Sequence, residues 1–367
     1  MKSTAALLTG IGSDFEIAEI DIDGPKAGEV LVQIAAVGLC HTDLAVRDGV
    51  LPIEFPGVVG HEGAGTVIAI GDGVTKVAVG DKVSLTFNSC GHCRTCTTGH
   101  QSYCENFTPE NYGGVRADGS KPLSKDGHPV AGMFFGQSSF GSVALTNERN
   151  TVKIDADIPF EMLAPLGCGV QTGVGAVTRS LRAEKGSAVA IAGGGSVGLS
   201  AVMGAVLQEC ATIIVVEPTE QRRSLALELG ATHAIDPAAG DVAEQIRSIV
   251  AHGVDYVIDT TGIPAVVESL IGATAVRGTV GLIGVPSDPT GAIQLNIIAA
   301  LTLGLTVTGI IEGDSVPDEF IPELVDHYLS GRLPLDKLVA TFPFTEINSA
   351  VKIQHDGGVV KPVLVFD

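Results

Sequence analysis

The sequence predicts an α/β protein of two parts, one β-rich and one built on a doubly wound parallel sheet. Three observations carry this. Before about residue 160, apolar and polar residues alternate between glycines and prolines, with no long helical period. From Met162 onward Ala, Val and Gly dominate, and apolar strands alternate with helical segments. Within that second part the apolar run from Ala188 breaks at Gly193-Gly194-Gly195-Ser196-Val197-Gly198 and continues in a helical pattern. At 367 residues the chain is long enough for two separate cores.

In chain order, residues 5–36 read as strands, with the alternation clearest at 15–22 and 30–34. Strand character continues through residues 65–85, where Gly71, Gly73 and Gly80 mark the turns. Residues 106–129 are polar and rich in Gly, Asp and Lys, which predicts a long surface loop before sheet resumes near Met133. Further along, residues 221–229 and 242–251 read as helices, and residues 254–259, 278–283 and 305–310 as buried parallel strands. Residues 320–367 give a helix with Leu324, Tyr328 and Leu329 on one face, then an apolar strand at 362–366. The order of a sheet-rich stretch, a nucleotide-type stretch and a short return makes the second part an insertion within the first.

The glycine cluster fits G-x-G-x-x-G. Gly193 suits the tight turn, Gly195 lets the backbone approach a pyrophosphate, and Gly198 lets the helix pack on the strand. The helix then points its unpaired N–H groups at the phosphates. Glu217 closes the next apolar run, 211–216, about as far beyond the glycines as a ribose-binding acid stands in a Rossmann unit. In a chain with 47 glycines the motif alone is weak. The clean preceding strand, the proline-free helix and the acid at a strand end supply the context it needs.

Asp and Glu number 42 against 22 Lys and Arg, a net charge of −20 that repels nucleic-acid backbones and anionic lipid surfaces. Neither is an expected partner. The first residues carry one lysine and too short an apolar run for a signal peptide, and no charge-free run reaches a membrane span. The expectation is a cytoplasmic protein.

Four of the seven cysteines fall between Cys90 and Cys104. Cys90, Cys93, Cys96 and Cys104 form C-x2-C-x2-C-x7-C, four thiols that close a tetrahedral site with no open position, which is the pattern of a structural zinc. An iron–sulfur cluster also takes four thiolates but at other spacings. Three further groups, Cys40-His41-Thr42-Asp43, Gly60-His61-Glu62 and Gly167-Cys168-Gly169, are each weak alone and gain weight beside a nucleotide fold. Cys210 lies in an apolar stretch and reads as packed. His92, His100, His128, His233, His252, His327 and His355 have polar neighbours and read as surface residues.

Gly60-His61-Glu62-Gly63-Ala64-Gly65 followed by Gly71 and Val74 resembles the G-H-E-x2-G-x5-G-x2-V signature of zinc-dependent medium-chain alcohol dehydrogenases. With the four-cysteine lobe, Gly167-Cys168-Gly169 and the glycine turn, the resemblance spans essentially the whole chain. It is closest to the bacterial aryl-alcohol (benzyl-alcohol) dehydrogenases, a likeness carried by FFGQSSF at 134–140, EGDS at 312–315 and KPVLVF at 361–366. The resemblance implies a GroES-like catalytic domain from residues 1–167 and 310–367 and a Rossmann domain from residues 168–309, with nicotinamide and substrate in the cleft between them. It implies two zinc ions per chain: a catalytic one on Cys40, His61 and Cys168, and a structural one on the cysteine lobe. It further implies Thr42 as the hydroxyl that takes the alcohol proton, Asp43 as the carboxylate that orients His61, and Glu62 as an acid beside the metal. His41, Thr172, Gly193, Gly195, Gly198, Glu217, Arg222 and Lys361 would meet NAD, with Lys361 and His41 at the pyrophosphate.

Two positions depart from the pattern. Ala45 stands where many members have a histidine that relays the proton to solvent, and His41 stands where others have arginine. The expected activity is interconversion of primary aromatic or allylic alcohols and aldehydes, by a homodimer or homotetramer. The alternatives are a terpenoid (geraniol-like) alcohol dehydrogenase and a non-catalytic NAD-binding relative. Phe87, Phe134 and Phe135 are candidate walls of an apolar substrate pocket, with core packing as the competing role.

Overall fold

A computed structural model describes residues 1–366. The chain divides into two compact units, one formed by residues 1–168 and the return from Val316 onward, the other by Gly169–Ser315.

The first unit is organised on the strand Glu29–Gly38, which is buried along nearly its whole length and therefore apolar almost throughout. It pairs antiparallel with Gly63–Ile70, with Val143–Asn147 and with the C-terminal strand Lys361–Val365. Thr151–Lys153, Lys82–Leu85 and Val339–Pro343 complete a seven-stranded sheet. A five-stranded sheet runs in the order Gly57–Val58, Lys2–Leu8, Glu16–Ile22, Leu123–Lys125, His128–Val130. One core, with Ile34, Leu85, Phe134 and Phe140 among its most buried side chains, underlies both sheets. Burying such alternating faces removes apolar surface from water at about 25 cal/mol per Å².

The second unit holds a six-stranded sheet that is parallel throughout, in the order His233–Ile235, Thr212–Val216, Ala188–Ala192, Val254–Asp259, Thr274–Leu282, Thr306–Gly309. Numbered along the chain this is 3-2-1-4-5-6, the doubly wound dinucleotide-binding order, with its switch point beside Ala188–Ala192. That strand is buried at every residue, so its sequence is an unbroken apolar run. Helix Ser196–Leu207 follows directly. A Cβ at Gly198 would lie 1.9 Å from the Gly193 carbonyl oxygen, so only glycine lets the helix start this close to the strand. The α/β class, with a β-rich unit and a Rossmann sheet, is as the sequence predicted.

Four local expectations need correction. Residues 106–129 are not one loop: they contain the helix Phe107–Tyr112 and the hairpin Leu123–Lys125 with His128–Val130. Arg116 is buried there between Glu29 and Asp23, an ion-pair site that polar composition alone disguised as surface. Strand Thr306–Gly309 is parallel as expected but is a solvent-exposed sheet edge, and Ile297, Ile298 and Leu301 on the preceding helix are also exposed. In the helix Pro317–Leu329, Phe320, Ile321, Leu324 and Val325 are buried while Leu329 faces water. His327 is largely covered, beside Glu323, whereas the other six histidines read as surface residues are exposed. Among the described residues no helix is long and apolar enough to cross a membrane.

Candidate active site and metal centres

In the first unit, Cys40 is the N-cap of the short helix His41–Arg47. His61 and Glu62 lie between Gly57–Val58 and Gly63–Ile70. Cys168 follows the tight turn Ala164–Gly167. Backbone close approach assembles them. Gly60 has φ +93°, and a Cβ there would sit 2.4 Å from the Phe140 amide nitrogen, so no other residue type fits before His61. The result is one cluster: the ligand atoms of Cys40, His61, Glu62 and Cys168 lie within 4.8 Å of one another.

Asp43 fixes the imidazole. Its carboxylate is fully buried and accepts hydrogen bonds from the Gly60 amide (3.0 Å), the Cys40 amide (3.1 Å) and His61 Nδ1 (2.8 Å). A carboxylate only accepts, so Nδ1 carries the proton and Nε2 presents a lone pair. Nε2 is buried and has no hydrogen-bond partner. A buried, orphaned lone pair beside two thiols is what a thiophilic divalent cation satisfies, and the donor set fits zinc. The Cys40 thiol is drawn well below its usual range by the Cys168 side chain, then by the charges of His61 and Lys361. Burial alone would lower the His61 pKa, but the negative Asp43 and Cys40 raise it well above normal, and the same negative surroundings favour a metal cation at Nε2 in place of a second proton. Thr42 Oγ1 lies 3.7 Å from Cys40 Sγ, and Ala45 is buried.

Lys361 is 1% exposed, donates to the Leu39 carbonyl and is ion-paired with Glu62. Burial would lower its pKa, and Glu62 with Cys40 raises it. Glu62 itself is pushed up to about 7 by burial, against the pull of Lys361.

The thiols of Cys90, Cys93, Cys96 and Cys104 also lie within 4.8 Å of one another. Backbone amides point into the cluster: Cys90 N–H to Cys104 Sγ (3.3 Å), Cys93 N–H to Cys90 Sγ (3.4 Å) and Asn106 N–H to Cys104 Sγ (3.4 Å). Such N–H···S bonds stabilise thiolates. The Thr95 hydroxyl and nearby amides bring Cys93 down to about 5, while burial pushes Cys104 up to about 12. A cation that holds all four as thiolates removes this mismatch, so the lobe also fits zinc.

In the second unit, Glu217 is buried at the end of Thr212–Val216, where its carboxylate accepts from the Gly194 amide (2.6 Å) and the Thr219 amide (2.8 Å). A Cβ at Gly194 would meet both Glu217 and Arg222, which puts the two predicted ribose residues at the glycine turn. Thr172 lies on the helix Gly169–Gly175, which packs on Ser196–Leu207, and its hydroxyl is 3.4 Å from Glu312 Oε2. His41 is an exposed residue on the first turn after Cys40. Residue types at motif spacing missed Gln137. Its amide donates to the His61 and Thr86 carbonyls (2.9 and 3.0 Å) and accepts from the Gly63 amide (3.1 Å). The FFGQSSF segment was visible as a likeness, but nothing in it signalled this role.

Residues 26–156 match the family of alcohol dehydrogenase GroES-like domains, and residues 196–329 match that of zinc-binding dehydrogenases. Over 368 aligned residues the sequence is 46% identical to a geraniol dehydrogenase of Castellaniella defragrans, covering 100% of this chain and 98% of that one. The chain belongs to the zinc-dependent medium-chain alcohol dehydrogenases. Within the family, a solved alcohol dehydrogenase zinc-binding domain protein from Burkholderia ambifaria matches with TM-score 0.98 at 46% identity, covering 100% of this chain and 99% of that one. The benzyl alcohol dehydrogenase of Acinetobacter calcoaceticus matches with TM-score 0.97 at 39% identity, over 100% of both chains. Family membership makes the chain an alcohol dehydrogenase-type oxidoreductase.

Proposed function

We propose that the chain interconverts primary aromatic or allylic alcohols and their aldehydes, with NAD as the hydride carrier and zinc on Cys40, His61 and Cys168. The observation that carries this is the Cys40, His61 and Cys168 set, with His61 and Cys168 buried and His61 Nε2 orphaned. When bound, zinc supplies Lewis acidity that makes an alcohol hydroxyl acidic near neutral pH, and the nicotinamide exchanges the hydride. The residues supply position and protonation. Asp43 holds His61 in the Nδ1–H tautomer, Thr42 takes the alcohol proton, and Glu62 is the carboxylate next to the ligands. Ala45 gives that proton no histidine to pass to. Cys90, Cys93, Cys96 and Cys104 hold a second, structural zinc.

The substrate class rests on the benzyl alcohol and geraniol dehydrogenase relatives. Phe134 and Phe135 do not carry it, because both rings are buried in packing against His61, Phe107 and Tyr112. Each methylene buried by a substrate adds about 0.8 kcal/mol, so benzyl alcohol, cinnamyl alcohol and geraniol should exceed ethanol in kcat/KM by about a hundred-fold or more. A series over these alcohols, hexanol and cyclohexylmethanol tests it. Ethanol equal to benzyl alcohol overturns the proposal. Geraniol far ahead of benzyl alcohol replaces the aromatic class with a terpenoid one, which the 46% identity to geraniol dehydrogenase favours.

NAD over NADP follows from Glu217, whose carboxylate is fixed by two amides and would repel a 2′-phosphate. Juxtaposed like charges cost several kcal/mol, so kcat/KM should favour NAD by about a hundred-fold or more, and Glu217→Ala should narrow the ratio. Equal efficiency with both cofactors in the unaltered enzyme would count decisively against it.

A further inference from the structure

We infer that Phe135 is a positioning residue for the catalytic metal, its ring holding the plane of the His61 imidazole so that Nε2 stays aimed at the ion. This rests on the zinc site proposed above. The Asp43 hydrogen bond fixes the His61 tautomer, but the last torsion of a histidine side chain is broad, and one hydrogen bond to Nδ1 tolerates considerable tilt. A metal bond does not, because the Nε2 lone pair lies in the ring plane. The tilt is restrained by rings. Phe135 lies against the imidazole with centroids 4.5 Å apart and planes 31° apart, and Phe134 meets it edge-on at 5.5 Å and 85°. An aromatic face also favours the more cationic imidazole of a metal-bound histidine.

The backbone indicates that this placement is built and not incidental. Met133, Phe135 and Ser138 have φ of +57°, +50° and +51°, in the left-handed region that non-glycine residues avoid. Such strain persists only where surrounding bonds over-determine it. Here they do. Besides the Gln137 bonds already described, Gln137 Oε1 accepts from Ser139 Oγ (2.5 Å). Ser138 Oγ donates to the Val58 carbonyl (2.6 Å) and accepts from the Phe134 amide (2.9 Å). The Ser139 and Phe140 amides donate to the Gly60 and Val59 carbonyls (2.8 and 2.9 Å). Residues 134–140 are thus laced to residues 58–63 on both sides of His61. Asn150 Nδ2 donates to the Phe135 and Gly136 carbonyls from behind (both 3.3 Å).

Ordinary core packing is the competing explanation, and Phe107 separates the two. It touches Phe135, Phe87 and Tyr112, and no ring contact joins it to His61 among the described residues. Phe135→Leu and Phe107→Leu remove similar apolar volume, but only the first removes the ring facing the imidazole. The experiment follows zinc release from the purified enzymes into a chelator, with total zinc counted, together with the visible spectrum after cobalt substitution. Phe135→Leu is expected to lose one zinc about ten-fold faster than the unaltered enzyme and to show altered cobalt bands, while the other zinc stays bound. Phe107→Leu is expected to match the unaltered enzyme. Equal release from all three, or equal acceleration in both variants, overturns the inference. Should Phe135→Leu not fold, Phe135→Met is read by the same criteria. An unaltered enzyme that binds a single zinc marks failure of the proposed metal site itself, a result distinct from any difference between the variants.

Discussion

Cys168→Ala is expected to leave the chain folded, to remove one of two zinc ions, and to lower kcat/KM by about a thousand-fold or more. Cys168 contributes one of two thiols to the Cys40, His61 and Cys168 cluster, and its side chain is the main cause of the lowered Cys40 pKa. Without it, one thiol and His61 remain beside the Glu62 carboxylate, a harder and weaker donor set for a thiophilic cation. Lewis-acid stabilisation of the developing charge is worth several kcal/mol, and each 1.4 kcal/mol is about ten-fold in rate. Alanine leaves the backbone unchanged, including the Gly167 carbonyl that accepts from Thr86 Oγ1 (2.8 Å). Stability should therefore move little. Elemental analysis, steady-state kinetics and a thermal melt check the three parts. A Cys168→Ala enzyme that turns over normally, or an unaltered protein with a single zinc, would end the assignment.

Cys93→Ser should act in the opposite sense, on stability far more than on chemistry. The lobe between Cys90 and Cys104 has almost nothing apolar to fold around. Its helices are Arg94–Thr97 and the turn Gln101–Tyr103, and its buried side chains include two of the cysteines themselves. A closed metal site therefore supplies its folding free energy. Cys93, the thiol held down to about 5, has the greatest thiolate character of the four. Its loss should release the structural zinc and cost about 3–5 kcal/mol, the upper range for single substitutions. In a unit of this size that lowers Tm by roughly 10 °C. Differential scanning calorimetry with a zinc count, and limited proteolysis directed at residues 90–104, measure it. The remaining zinc and low-temperature turnover should persist. An unchanged Tm after loss of that zinc would show that the lobe is held by something else.

The sequence by itself determined the two textures, the doubly wound sheet and the four-thiol set from Cys90 to Cys104, because these depend on local pattern, whereas Cys40, His61 and Cys168 are too far apart in the chain for spacing to join them and came together only through the family resemblance. An apolar strand ending in G-x-G-x-x-G and C-x2-C-x2-C-x7-C require particular residue types at fixed short spacings, whatever lies elsewhere. It misjudged residues whose environment is set at a distance. Arg116 read as surface and is buried because Glu29 and Asp23 meet it there. Strand Thr306–Gly309 read as buried and is exposed because no further strand follows on its side of the sheet. Nothing local signals that Lys361 is buried against Glu62, a placement that the pairing of Lys361–Val365 with Glu29–Gly38 brings about. Likewise Phe134 and Phe135 are simply apolar in the sequence. Only the left-handed bends of their segment, tied by Gln137 across some seventy positions of chain, put Phe135 against the face of the His61 ring and Phe134 edge-on to it. Local spacing specifies the four thiols of the cysteine lobe, and the fold brings Cys40, His61 and Cys168 together. The long-range hydrogen bonds and ring contacts that orient those atoms form only when distant segments fold together.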